Sequence, residues 1–242
     1  MSSGEQFFSG KQQNIYMQFR KRDESPNETM EKPAIIEMLD AVQGKAVLDV
    51  GCGDGAFGQA LLSAGADQYV GIDPSAEMLK LAQANCPAGV FVQSSAENHA
   101  YPTATIDIAI SRLALHYVSD QGLETTLNGV HRALKPGGQW VCSVLHPVYT
   151  SCDKSSVNQP RQDWLVDDYF SPGSRQIPWL DGVVTRYHRT IETYFMLHQA
   201  AGFTVEHLRE GRPEPANFSD PQLLARRKRM PLFLIFGCRK HK

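Results

Sequence analysis

Three carboxylates and three closely spaced glycines carry the first chemical signal in this chain. Asp49 stands just before Gly51, Gly53 and Gly55, Asp54 lies inside that run, and Asp73 ends the segment Val70-Gly71-Ile72-Asp73. Glycines at this spacing let a backbone turn sharply and approach a ligand with no Cβ in the way. An acid about twenty residues beyond such a turn is placed to accept from ribose hydroxyls. Two carboxylates beside the turn would repel a pyrophosphate and tolerate a cation. The pattern G-x-G-x-G also departs from the G-x-G-x-x-G of dinucleotide sites. A nucleoside-like ligand carrying positive charge fits these residues.

The elements that position them follow in order. Val47, Leu48 and Val50 read as a parallel strand covered on both faces. A helix from Ala56 to about Ala64 points its free N–H groups back at the glycine turn. Val70–Asp73, Val90–Val92 and Ile106–Ser111 are the next three strands. Ser119-Asp120 starts a helix bearing Leu123, Leu127, Val130 and Leu134. Lys135-Pro136-Gly137-Gly138 is expected to stop it, and Trp140–Leu145 to form the fifth strand. Residues 146–188 then break the alternation of helix and strand. This stretch holds four prolines and the aromatics Tyr149, Trp164, Tyr169, Phe170 and Trp179. So long a segment inside a domain is usually functional, and its aromatic content opposes disorder. A last main helix opens near Tyr187 and closes at Gly202-Phe203, followed by strands at Thr204–Arg209 and Leu232–Cys238. Gly211–Met230 between those strands reads as a polar loop. Before the first strand, a helix over Thr29–Ala41 is expected to kink or restart at Pro33, with Glu31 on a solvated face.

Val47–Gly58 together with Asp73 resemble the first two motifs of class I S-adenosylmethionine-dependent methyltransferases, of the small-molecule, type 11-like kind. The helix, the Lys-Pro-Gly-Gly stop and the fifth strand match a third hallmark. The resemblance implies an α/β, Rossmann-like, seven-stranded and mostly parallel sheet. Helices would cover both faces, the last strand would run antiparallel, and an insertion would follow strand five. One domain spans 1–242: an N-terminal arm or lid (1–43), a cofactor-binding core (44–146), a substrate cap (147–188) and the rest of the core (189–242).

The resemblance also implies site residues. Asp49, Gly51, Cys52 and Gly53 would meet the methionine part of S-adenosylmethionine, and Asp73 the ribose. Pro74, Met78, Ser95, Ala96 and Glu97 would flank the adenine; Ser95 stands where the family often has Asp. Tyr16 and Arg22 of the arm, and Arg112 after the fourth strand, are further cofactor candidates. His116, His146 and His188 lie at strand ends or at the close of the insertion and titrate near neutral pH, so they are the candidate bases.

Composition narrows the partners. A chain of 242 residues, 42% hydrophobic, can bury a full core as one domain. Its formal net charge of -2 gives no general attraction to nucleic acid or an anionic membrane. No apolar run reaches the ~20 residues of a membrane span. The N-terminus lacks a secretory pattern, and five scattered cysteines without C-x-x-C point to reduced thiols in a cytoplasm and to no metal site. The expected reaction is methyl transfer to an O, N or C nucleophile of a small, partly aromatic or apolar molecule, by a monomer or homodimer. The alternatives are an NAD-dependent oxidoreductase, which shares the strand–glycine–helix unit, a non-catalytic protein that keeps the cofactor fold, and a tRNA or nucleic-acid methyltransferase, supported by the basic run Arg226–Arg229 alone.

Overall fold

The computed structural model describes residues 24–152, 164–179 and 182–241. A π-helical turn, Asn27–Glu31, runs into α1 (Lys32–Met38). Then come β1 (Ala46–Val50), α2 (Ala56–Ser63), β2 (Gln68–Asp73), α3 (Ala76–Asn85), β3 (Val90–Gln93) and β4 (Ile106–Arg112). A 3₁₀ turn, Leu115–Tyr117, leads to α4 (Asp120–Ala133), β5 (Leu134–Leu145) and the single turn α5 (Pro147–Thr150). A hairpin, β6 (Gly173–Trp179) and β7 (Gly182–His188), precedes α6 (Ile191–Ala200), β8 (Phe203–Glu210), α7 (Pro221–Arg227) and β9 (Phe233–Lys240).

Seven strands form one sheet in the order β3-β2-β1-β4-β5-β9-β8. The first five run parallel, and β9 inserts antiparallel between β5 and β8. Parallel strands need cover on both faces, so their residues read as apolar runs rather than as alternation. On one face Leu48, Val50, Ile72, Trp140 and Phe236 pack with Leu123, Leu127 and Val130 of α4 and Tyr194 of α6. On the other, Val47, Ile108, Ile110, Val141 and Ile235 pack with Ile35 and Met38 of α1 and with Phe57 and Leu61 of α2. The strand order reverses at β1 and β4, whose carboxyl ends therefore border a crevice where ligands bind in such sheets. Among the described residues no helix is long and apolar enough to cross a membrane.

Four segments differ from the sequence expectation. The helix does restart at Pro33, but it does so out of a π turn. Lys32 N–H bonds Asn27 C=O five residues back, and Pro33 takes an early position of α1, where its missing N–H costs least. The Lys-Pro-Gly-Gly stretch lies inside β5, because Leu134 is already extended and pairs with Ile106 across a register shift. The insertion contains regular structure: β6 and β7 pair from Gly173↔His188 to Trp179↔Gly182. Alternation buries Val184, Arg186 and His188 of β7 on one face. The loop at Gly211–Met230 holds α7, started by Asp220, whose side chain accepts from Gln222 N–H.

One glycine links packing to the site. A Cβ built on Gly58 of α2 would lie 2.3 Å from the ring of Tyr69 on β2. Alanine gains about 1 kcal/mol of helix propensity over glycine, whereas overpacking a buried ring costs about 1–3 kcal/mol. Tyr69 is buried and tethered through its hydroxyl, so the clash outweighs the propensity. Gly58→Ala should lower unfolding stability by about 1–2 kcal/mol in urea titration; unchanged or higher stability would show that Tyr69 moves freely.

Candidate active site

The glycine turn closes the first βα unit. Gly51 and Cys52 N–H both donate to Ile72 C=O, at 2.8 and 3.0 Å. Gly51 has φ 81° and would put a Cβ 2.3 Å from that of Ala114, so only glycine fits there. Asp73, at the end of β2, ties the turn down. Its two oxygens accept from Gly53 N–H at 3.0 Å and Ser75 N–H at 2.9 Å. Burial nevertheless raises its carboxyl to about 6, against those two bonds. Ser75, not Asp73, caps α3, accepting from Met78 N–H at 3.2 Å.

Asp49 forms the floor. It is 2% exposed and accepts from Tyr69 Oη at 2.7 Å through Oδ2. Among the described residues its Oδ1 is buried with no hydrogen-bond partner. Burial pushes its carboxyl up to about 7, opposed by the Tyr69 bond and by the charge of Arg112. Asp49 is among the residues lining the crevice, and a carboxylate with an unmet oxygen suits a cationic ligand group.

Arg112 ends β4 and lines the same crevice, its guanidinium carbon 4.5 Å from the Phe57 ring centroid. It is gripped by Glu31, through Nε at 3.1 Å and Nη2 at 2.5 Å. Glu31 also accepts from Ser143 Oγ at 2.6 Å. The solvated face expected for Glu31 is therefore corrected: the residue is 0% exposed, because the π turn rotates it onto Arg112.

Pro74, Met78, Ser95, Ala96 and Glu97 line the opposite end of the crevice, near Asp73. Ser95 and Ala96 are held by their own bonds: Ser95 Oγ accepts from Asn98 Nδ2 at 2.9 Å, and Ala96 C=O from Tyr101 Oη at 2.8 Å. Cys52 lines the floor, its thiol raised far above its usual range by burial and by the nearby carboxylates. Tyr16 and Arg22 lie outside the described residues.

The three imidazoles are not brought together on the crevice wall. His116 is buried beside Tyr117, with ring centroids 4.3 Å apart, and its pKa is driven well down by burial and then by Arg186 and Arg189. His146 caps α5 by accepting from Val148 N–H at 3.1 Å through Nδ1. Its Nε2 lies 3.1 Å from Glu210 Oε1, but off the hydrogen-bonding direction. His188 Nε2 donates to Tyr169 C=O at 2.8 Å, leaving Nδ1 to accept from Thr150 Oγ1 at 2.6 Å. It pins the hairpin to α5. Sequence reasoning missed Asn27, Phe57, Leu113, Ala114 and Tyr117, which complete the wall at the β4 end. The signal for Leu113, Ala114 and Tyr117 was their place in the run after the fourth strand, whose end the resemblance puts under the reacting methyl group.

The donor set fits S-adenosylmethionine. Asp49 offers a buried anionic oxygen, Asp73 a second carboxylate, and the glycine turn leaves room for close approach. Comparison with known proteins agrees. Residues 47–138 match the methyltransferase domain family. An S-adenosylmethionine-dependent methyltransferase from Mesorhizobium loti has the same fold with a TM-score of 0.79 and 33% identity, covering 87% of this chain and 97% of that one. A malonyl-[acyl-carrier protein] O-methyltransferase of Erwinia billingiae is 30% identical over 180 residues, 70% of this chain and 68% of its own. An uncharacterized protein of Haemophilus influenzae is 29% identical over 213 residues, 81% and 82% of the two chains. The chain belongs to the S-adenosylmethionine-dependent methyltransferases, and S-adenosylmethionine is its cofactor.

Asp49 should make stability depend on pH. Its native value of about 7 lies above the ordinary range near 3.9. Between those values the native state holds more protons than the unfolded one, so stability falls as pH rises through that window. A cationic ligand favours the ionised form and offsets this loss. The rise in melting temperature caused by S-adenosylhomocysteine should be larger at about pH 8 than at about pH 5.5. Thermal melts of Asp49→Asn should show a weaker pH dependence of that rise; an equal rise at both pH values in wild type would refute the assignment.

Proposed function

We propose that this enzyme transfers the methyl group to an O, N or C nucleophile of a small organic molecule. The wall beyond Arg112 supports this reading. Phe57, Leu113, Ala114 and Tyr117 narrow the crevice with apolar surface at the β4 end, where an acceptor would enter. The insertion packs behind that wall: Arg186 of β7 lies 5.9 Å from the Tyr117 ring centroid. Apolar walls with a few charged groups suit a small ligand. The basic run Arg226–Arg229 overlaps the end of α7 and does not line the crevice, which disfavours the nucleic-acid reading.

When bound, S-adenosylmethionine supplies a methyl group on a positively charged sulfur. The protein's task in an in-line displacement is alignment, which can contribute roughly 7–11 kcal/mol. Asp73 holds the ribose end with charge-assisted bonds, and Asp49 faces the positive end. Gly51 keeps the floor low enough for contact. Pro74, Met78, Ser95, Ala96 and Glu97 bracket the base. Among the histidines, His116 acts through Tyr117, keeping that ring on the wall. His146 and His188 hold the two ends of the insertion.

Calorimetric titration is the test. Wild type should bind S-adenosylmethionine and S-adenosylhomocysteine but not NAD. Asp73→Ala should weaken binding by roughly 10- to 100-fold, the loss of hydrogen bonds to a charged group. Gly51→Val should abolish it. Unchanged binding in both variants would refute the site. A steep loss of RNA binding with added salt would instead support a nucleic-acid acceptor.

A further inference from the structure

The strongest unexplained feature is a charge buried where sequence placed a solvated side chain. Glu31 is fully buried on a π turn and closes on two groups, Arg112 and Ser143. A carboxylate left unpaired at such a site would be costly, and Arg112 and Ser143 supply its partners. The network continues outward. Ser143 Oγ and Ser143 C=O each lie 3.1 Å from Leu113 N, so both receive that N–H. Leu113 is the first residue past β4, lines the crevice and has φ 55°. A branched residue in the left-handed region persists only when its surroundings over-determine it. Glu31, through Ser143, is part of what holds it.

The same carboxylate sets the direction of the Arg112 guanidinium. Arg112 Nη2 also reaches Asn27 C=O at 3.5 Å, on the first residue of the π turn, and Asn27 lines the crevice as well. Arg112 is the sole cation among the described lining residues. It stands close enough to Asp49 to favour that carboxylate's charge. The two are not bonded to one another. An anion and a cation lining one crevice without bonding each other match the ammonium and carboxylate of an α-amino acid. The nucleoside-binding residues sit at the far end of the crevice.

We propose that Glu31 is a positioning residue, which aims Arg112 at the amino-acid carboxylate of the cofactor and fixes the β4 exit through Ser143 and Leu113. This rests on the cofactor reading given above. A planar guanidinium held by a fixed carboxylate presents a defined edge to a second carboxylate, which a lysine would not. Glu31 itself touches no ligand. The widened turn before α1 exists to carry it inward.

The test separates the amino-acid end of the ligand from its nucleoside end. Wild type, Glu31→Gln, Arg112→Gln and the double variant are titrated with S-adenosylhomocysteine and with 5′-methylthioadenosine, which lacks the amino-acid group. Each single variant should lose S-adenosylhomocysteine affinity by roughly 10- to 100-fold while 5′-methylthioadenosine affinity changes less than about twofold. The double variant should be no weaker than Arg112→Gln alone, since Glu31 acts through Arg112. Arg112→Lys, which keeps the charge but loses the fork, should fall between wild type and Arg112→Gln. Retained 5′-methylthioadenosine binding also shows that each variant is folded. Equal loss for both ligands, or no loss for either, overturns the proposal while leaving the cofactor assignment intact. Failure of wild type to bind either ligand overturns both.

Discussion

A carboxylate buried at the floor of a crevice, with one oxygen left unmet, is the constraint on which this structure turns. Burying an isolated ionised carboxylate is costly, and proteins respond by shifting its pKa or by pairing it. Asp49 does both in part: Tyr69 takes one oxygen, and burial holds the group near neutrality. Everything near it serves that arrangement. Tyr69 can reach Asp49 because Gly58 leaves its ring space on α2. The glycine turn directly after Asp49 keeps the floor open to a ligand. A pyrophosphate placed here would meet Asp49, Asp54 and Asp73 together; a sulfonium with an ammonium would complete the unmet oxygen.

The sheet makes this possible by geometry alone. The order reverses between β1 and β4, so the turns leaving those strands diverge and leave a cleft between them. Asp49 and Arg112 approach it from neighbouring strands, and Asp73 from the next strand out. Their backbone positions are fixed by ladder hydrogen bonds and by core packing on both faces. The loops need only supply walls. The β6–β7 hairpin backs the Tyr117 wall from behind, anchored by His188 to α5 and with Arg186 5.9 Å from the Tyr117 ring centroid.

The strand–glycine–helix unit and the carboxylate at Asp73 were legible because each is a local pattern with a local cause, whereas the antiparallel last strand was legible only through the family resemblance. Apolar runs give buried strands, glycines give turns, and the spacing of Asp73 follows from one βα unit. The rest required long-range information. Glu31 looked solvated because helical spacing cannot report a π turn, nor a partner such as Arg112, far away in sequence. The Lys-Pro-Gly-Gly stretch looked like a stop because propensity cannot see Ile106 waiting as a strand partner. The histidines looked reactive from their residue type and their places at strand ends and the close of the insertion, neither of which reports a hydrogen-bond partner. Two of them turned out to be fastened to backbone groups of the insertion. Tyr117 was passed over beside a more conspicuous His116.

The most direct measurement of the central claim is proton release on cofactor binding. Calorimetry of S-adenosylmethionine binding near pH 6.5, repeated in two buffers of different ionisation heat, counts the protons exchanged. If a positive group completes Asp49, wild type releases protons as the cofactor binds, and Asp49→Asn releases measurably fewer. Proton uptake, or the same count in both proteins, would contradict a floor built for a cation.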